Sequence, residues 1–185
     1  MSARGEPGRT PGADEGAGAD AIDRHRRRVL WAMPTGLYLV GSRHADEVNL
    51  MTANLVVQVC VEPKLVAVAL ERDSVTKRLV AAAGAFTVSL LRRTDRDVVR
   101  RFVKPVTEAE RTPEGALVSL SGHAVREVGP GCLPVLAAAA GSLLCTVTNL
   151  EELGSHTLCI GEIDEVWGEP SEVLRMEDTR MHYGG

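Results

Sequence analysis

The sequence predicts a mainly β protein, either an antiparallel barrel or a sandwich with Greek-key-like connections and short peripheral helices. Six or so apolar segments have the length and residue alternation of β-strands, and Gly, Pro and polar turns separate them. Helical segments fall between these strands too irregularly for a doubly wound parallel sheet. The chain also lacks the G-x-G-x-x-G motif with which such sheets bind dinucleotides.

The N-terminal segment differs in composition from the rest of the chain. Residues 1–20 are mostly Gly, Ala, Pro and acidic residues. We expect a disordered tail here because the segment has almost nothing apolar to bury, which leaves one domain over residues 21–185. A helix is predicted to follow, with Asp20 as its cap and Pro34 at its end. Its basic run, RHRRR at 24–28, is interpreted as a solvent-exposed face.

The elements of the domain are predicted in chain order. A cap at Asp73 or Ser74 and a terminal Gly84 bound the clearest helix. Residues 104–131 are polar and rich in Gly and Pro, so we expect a loop or lid with little regular structure. The remaining predicted elements are strands at 36–42, 52–62, 64–71, 85–91, 140–153 and 156–168, and a short helix at 94–103.

Polar side chains interrupt the apolar stretch VNLMTANLVVQ at 48–58, where a buried strand would not need them. Alternation places Thr52, Asn54 and Gln58 on one face, with Thr52 and Asn54 about 7 Å apart. The polar face either binds a heterocycle that has N–H and C=O edges or is open to water. The opposite face is predicted to point into the core with an aliphatic row of Ala53, Leu55, Val57, Val59 and Val61.

The segment ERDSVTK at 71–77 is a candidate anion site. A helix N-terminus presents free N–H groups and a partial positive charge. Hydroxyls of Ser74 and Thr76, the Lys77 ammonium and the nearby Arg72 would suit a phosphomonoester. The alternative interpretation is an ordinary capped helix whose cations face solvent.

Composition disfavours several other classes of protein. The net charge of −4 and an aromatic content of 3% give little basis for nucleic-acid binding. The four cysteines form no C-x-x-C pair, so we expect free thiols and a reducing cytoplasm. Pro and Gly interrupt the uncharged run 129–150, which argues against a membrane helix, and the histidines lack metal-ligand spacing.

Taken together, these motifs make the sequence resemble the flavin reductase-like family of FMN-binding split barrels. The resemblance extends from about residue 29 to residue 185. It depends most on the block NLMTANLVVQVCVEPKLVAVALERDSVTKRLVAAAGAFTVSLL, and MPTGLYLV, GSHTLCIGEIDEV and MHYGG support it.

This resemblance implies a six-stranded antiparallel Greek-key split β-barrel, a homodimer and a flavin groove near the dimer interface. The implied reaction passes hydride from NAD(P)H to FMN or FAD, and the reduced flavin then serves a partner such as a flavin-dependent monooxygenase. His156 would lie near the docked nicotinamide. The flavin ring and ribityl chain would be lined by Asn49, Met51, Thr52, Ala53 and Asn54, and the phosphate would be held by Ser74, Thr76 and Lys77.

The GSH motif departs from the family pattern at Ser155, where an acidic residue is usual. An aspartate beside His156 would favour the imidazolium, so its replacement weakens that charge. His156 also has a simpler interpretation as a histidine at a strand start with local hydrogen bonds. The alternative function is a flavin-binding electron-transfer protein that does not itself oxidise NAD(P)H.

Overall fold

The computed structural model describes residues 13–169 and 171–181. The described residues divide into two compact units, residues 13–34 and residues 35–169 with 171–181. In the first unit, helix α1 spans Ala13–Trp31 and therefore begins earlier than the predicted Asp20. Part of the segment predicted to be a disordered tail is thus helical, and residues 1–12 lie outside the described residues.

The second unit contains two antiparallel sheets. The larger sheet has seven strands in the order β2-β1-β5-β10-β11-β4-β3, and the smaller has four in the order β6-β7-β8-β9. Strands of the larger sheet are β1 Tyr38–His44, β2 Glu47–Ala53, β3 Val56–Cys60, β4 Leu65–Glu71, β5 Ala85–Leu90, β10 Gly141–Leu153 and β11 His156–Trp167. Strands of the smaller sheet are β6 Ala109–Arg111, β7 Leu117–Leu120, β8 His123–Val128 and β9 Leu133–Leu136.

Short helices lie between strands of the second unit. Helix α2 spans Val75–Ala83 between β4 and β5, and helix α3 spans Arg96–Arg101 after β5. A single 3-10 turn, Met176–Asp178, follows β11. Within the described ranges, no helix combines the length and apolar character needed to cross a membrane, and the uncharged run 129–150 contains β9 and part of β10.

The mainly β class is confirmed, but the predicted count of six strands is wrong. The described residues form eleven strands in two sheets. Three of the additional strands, β6, β7 and β8, lie in the segment 104–131 that was predicted to be a loop. They are short, and turns that contain Gly and Pro separate them, so pairing with one another and with β9 gives them a strand conformation.

The predicted continuous strand over 52–62 is also wrong. Strand β2 ends at Ala53, a bend follows, and β3 begins at Val56 as an edge strand of the sheet. A register shift between Gln58 and Cys60 then changes the alternation. The aliphatic row expected in the core is consequently exposed beyond Ala53: Leu55 by 40%, Val57 by 60%, Val59 by 50% and Val61 by 74%.

Two buried clusters form most of the core. One contains Leu37, Phe102 and Leu120 and joins the two sheets, because its members come from both. The other lies against the larger sheet and contains Phe86 and residues of α2 and β4. Burial of large apolar side chains here stabilises the fold by about 1.5–3 kcal/mol each.

Thiol reactivity provides a first test of this core. Cys145 and Cys159 are fully buried, and burial raises the pKa of Cys145 to about 12 and that of Cys159 to about 11. Because the thiolate is the reactive form, we expect iodoacetamide at pH 8 to label the exposed Cys132 first and to leave both buried thiols unmodified. Peptide mass spectrometry measures this. Labelling of Cys145 in the folded protein as fast as in urea would contradict the packing.

Candidate functional site

The N-terminus of α2 has the local chemistry predicted for it. Ser74 is the cap, since the backbone N–H of Lys77 donates to Ser74 Oγ at 3.2 Å. Of the two candidate caps, the structure therefore selects Ser74 rather than Asp73. The helix ends at Gly84 with φ of 67°, a left-handed conformation that glycine adopts without strain. No acidic residue lies in the first turn, so the positive end of the helix is not neutralised from within α2.

Strand β2 is joined to the first turn of α2 by a buried hydrogen-bond network. Asn49 Nδ2 donates to Thr76 Oγ1 at 2.8 Å, and the backbone N–H of Val106 donates to Asn49 Oδ1 at 2.8 Å. Asn49 is 2% exposed and Thr76 is fully buried. These two predicted site residues therefore hold β2, α2 and the loop after α3 together, and neither presents much surface to a ligand.

The other predicted residues of β2 lie along its far end. Thr52 is half-buried, its hydroxyl donates to the Val99 carbonyl at 2.8 Å, and its N–H donates to the Phe102 carbonyl at 2.9 Å. Met51 is half-buried, whereas Ala53 and Asn54 are buried. The prediction that Thr52 and Asn54 share one face of a strand is wrong, because Asn54 lies in the bend after β2.

Lys77 forms an ion pair that the sequence did not indicate. Its Nζ lies 3.1 Å from Glu152 Oε1, and the Thr157 hydroxyl donates to the same oxygen at 3.0 Å. Hydrogen bonds from Lys77 and then from Thr157 lower the pKa of the Glu152 carboxyl. A glutamate near the end of a strand gives no local signal of such a role, and only the packing of α2 beside the β10–β11 pair reveals it.

His156 lies at the same end of the larger sheet as the start of α2. It is the first residue of β11, and its register partner on β4 is Glu71. The backbone N–H of Arg72 donates to the Ser155 carbonyl at 3.0 Å, which ties this turn to the segment leading into α2. Ser155 Oγ is 2.9 Å from His156 Nδ1. The last motif residues, 182–185, lie outside the described residues.

An open cavity of about 710 Å³ lies at the opposite end of α2 and contains none of the predicted site residues. Its lining includes Gly84, Asp164, Glu165 and Arg43, and the Arg43 guanidinium is already paired with Glu127 at 2.6 Å. The carbonyl end of a helix and two carboxylates make an unfavourable environment for a phosphate. The positive end of α2, and not this cavity, is therefore the better candidate for an anion.

These features define a mainly antiparallel β protein with a capped, cationic helix start beside a histidine-bearing turn. The family described as "Flavin reductase like domain" matches residues 30–184. The chain belongs to this family.

Individual relatives agree with that assignment. An NADH-dependent FAD reductase of Streptomyces globisporus is 30% identical over 141 residues, covering 74% of this chain and 71% of the relative. The reductase component of 4-hydroxyphenylacetate 3-monooxygenase from Thermus thermophilus is 31% identical over 140 residues, covering 76% of this chain and 81% of the relative. Among solved structures, the Streptomyces globisporus NADH:FAD oxidoreductase SgcE6 has a TM-score of 0.72 at 26% identity, covering 90% of this chain and 95% of that chain.

Proposed function

We propose that this protein is an NAD(P)H-dependent flavin reductase. The chain belongs to the flavin reductase-like family, and one observation carries the proposal. The segment leading into α2, which bears Ser74 and Lys77, is hydrogen-bonded to the turn before His156, because the Arg72 N–H donates to the Ser155 carbonyl at 3.0 Å. A bound flavin, FMN or FAD, would supply the hydride-accepting chemistry, with the nicotinamide as reductant. The chain would supply binding, orientation and exclusion of water.

Each group at the site has a role that its burial allows. Ser74 and Lys77 are half-buried, so their polar atoms can meet a phosphate beside the helix N-terminus. Met51 and Thr52 are half-buried on β2 and would contact the ring, with Ala53 and Asn54 next to them. Asn49 and Thr76 would position the helix start relative to β2, since their side chains bond each other. His156 would lie near the nicotinamide.

A reduction assay tests the proposal directly. FMN or FAD is added to the purified protein, then NADH or NADPH, while flavin fluorescence and nicotinamide absorbance are followed. We expect flavin binding and nicotinamide oxidation. Flavin binding without nicotinamide oxidation would instead favour the electron-transfer alternative. The observation that supports this alternative is Ser155, which stands where the family usually has an acidic residue. Absence of flavin binding would overturn both.

The phosphate assignment predicts a selective loss on substitution of Lys77. We expect Lys77→Ala to weaken FMN binding about tenfold, since one charge-assisted contact is lost, and to change riboflavin binding less than about twofold. Fluorescence titration with both flavins measures the difference. Lys64→Ala, which removes an exposed lysine in the β3–β4 turn, is the matched control and should leave both affinities unchanged. Equal weakening of FMN and riboflavin would refute the phosphate role.

We also propose that the protein is a homodimer whose interface includes the exposed aliphatic residues around β3. Leu55, Val57, Val59 and Val61 are each at least 40% exposed, and an apolar edge strand left in water favours association. A second copy of the chain is the occupant that the family resemblance implies. Residues 21–185 would form the flavin-binding domain of each protomer.

The dimer proposal predicts that Val59→Asp weakens self-association at least about tenfold, because the interface would bury an unpaired carboxylate. Analytical ultracentrifugation over a concentration series measures the dissociation constant. Val118→Asp is the matched control, since Val118 is 44% exposed on β7 of the smaller sheet. A wild-type protein that remains monomeric at all concentrations would contradict the proposal.

The electron acceptor follows from the relatives by analogy. The Thermus thermophilus relative is the reductase component of a monooxygenase. We infer that reduced flavin from this protein serves a flavin-dependent monooxygenase in a similar way. Four free thiols support a reducing, cytoplasmic setting for this exchange.

A further inference from the structure

A carboxylate stands beside the proposed phosphate anchor. Glu152 Oε1 lies 3.1 Å from Lys77 Nζ and accepts a hydrogen bond from Thr157 Oγ1 at 3.0 Å. Thr157 is fully buried and is the register partner of Glu152 across the β10–β11 pair. The hydroxyl is therefore held by the sheet, and it orients the Glu152 carboxylate toward Lys77.

The carboxylate is charged under ordinary conditions. Its pKa is lowered, first by the hydrogen bond from Lys77 and then by that from Thr157. An ionised Glu152 partly neutralises the Lys77 ammonium, so this cation is already paired before any ligand arrives. The side chain of Lys77 is 22% exposed and that of Glu152 is 53% exposed, which places both at a solvent-accessible surface.

Flavins differ in the charge that they would bring to the start of α2, beside Lys77 and Glu152. The phosphomonoester of FMN carries a charge of about −1.5 to −2 at pH 7, because its second pKa is near 6. The diphosphate of FAD is a diester with a single charge on each phosphate, and riboflavin has none. FAD therefore divides a total charge similar to that of FMN between two phosphates, of which one would lie at the start of α2, whereas FMN would bring its whole charge there and riboflavin would bring none. Repulsion from Glu152 at that position increases from riboflavin through FAD to FMN.

We propose that Glu152 is a specificity-determining residue that disfavours the phosphomonoester FMN relative to FAD and riboflavin. The inference rests on the proposed flavin-reductase function and on the phosphate site at α2. Glu152 would repel the phosphate through its own negative charge and would reduce the attraction of Lys77 for the phosphate through the Lys77–Glu152 ion pair. The hydride-transfer step itself does not involve it.

The test is flavin binding by Glu152→Gln. Glutamine keeps an oxygen that can accept from Thr157, so the β10–β11 pairing is retained while the charge is removed. We expect FMN to bind about tenfold more tightly, FAD to gain less, and riboflavin to change less than about twofold. Fluorescence titrations with the three flavins measure this, and the difference between FMN and riboflavin should shrink in high salt.

Glu151→Gln is the matched control, because Glu151 is an exposed neighbour on the same strand and its loss changes the net charge equally. It should leave the preference among flavins unchanged. If Glu152→Gln tightens all three flavins equally, leaves them unchanged or weakens FMN, the inference is overturned while the flavin-reductase function stands. Failure of the wild-type protein to bind any flavin would overturn both.

Discussion

Asn49→Leu is expected to lower the free energy of unfolding by about 3 kcal/mol and to weaken flavin binding with it. Leucine has the branched outline of asparagine but is larger and offers no polar atom, so the buried Thr76 hydroxyl and the half-buried Val106 N–H would lose the partner that Asn49 provides. Chemical denaturation followed by circular dichroism measures the loss. Flavin titration of the folded variant then reports whether α2 has moved relative to β2.

A double-mutant cycle separates this network from simple packing. Thr76→Val removes the hydroxyl while keeping the side-chain shape. Asn49→Leu alone leaves the Thr76 hydroxyl without its partner, whereas the double variant has no hydroxyl at position 76. We expect the two substitutions to be coupled by about 1 kcal/mol, because they act on one hydrogen bond. Strictly additive effects would show that the Asn49–Thr76 bond contributes nothing specific.

Gly161→Ala is expected to lower the free energy of unfolding by about 2 kcal/mol. A Cβ atom at Gly161 would lie 2.6 Å from Phe86 Cε1 and 2.9 Å from Cys145 Cβ, distances that force neighbouring atoms to shift. Phe86 and Cys145 are both fully buried, so neither can move into solvent. The change in denaturation midpoint at constant m-value measures the effect.

Gly141→Ala is the matched control on the neighbouring strand β10. A Cβ atom there would lie 3.5 Å from the nearest atom, the Trp167 carbonyl oxygen, which is an ordinary contact. We expect a change below about 0.5 kcal/mol. In a Phe86→Leu background Gly161→Ala should cost less stability than it does in the wild-type protein, and an equal cost would show that the ring is not the obstacle.

The sequence predicted only part of the candidate site, because only part of it depends on local chemistry. Ser74 as a cap and Lys77 beside it follow from capping rules that involve neighbouring residues. The Asn49–Thr76 bond joins residues 27 positions apart, and no local pattern could reveal it. The residue that sequence reasoning missed, Glu152, becomes relevant only when β10 and α2 are brought together.

The sequence by itself determined the mainly β class, the bounds of α2 and membership in the flavin reductase-like family, because these depend on residue periodicity, capping residues and contiguous motifs. Tertiary structure alone decided that 104–131 contains three strands, that the valines around β3 face solvent, and that a carboxylate lies beside Lys77. The physical reason is the same in each case. The alternation of apolar and polar residues is a property of the isolated strand. It is overridden by pairing between distant segments, by a bulge and by an edge position in the sheet.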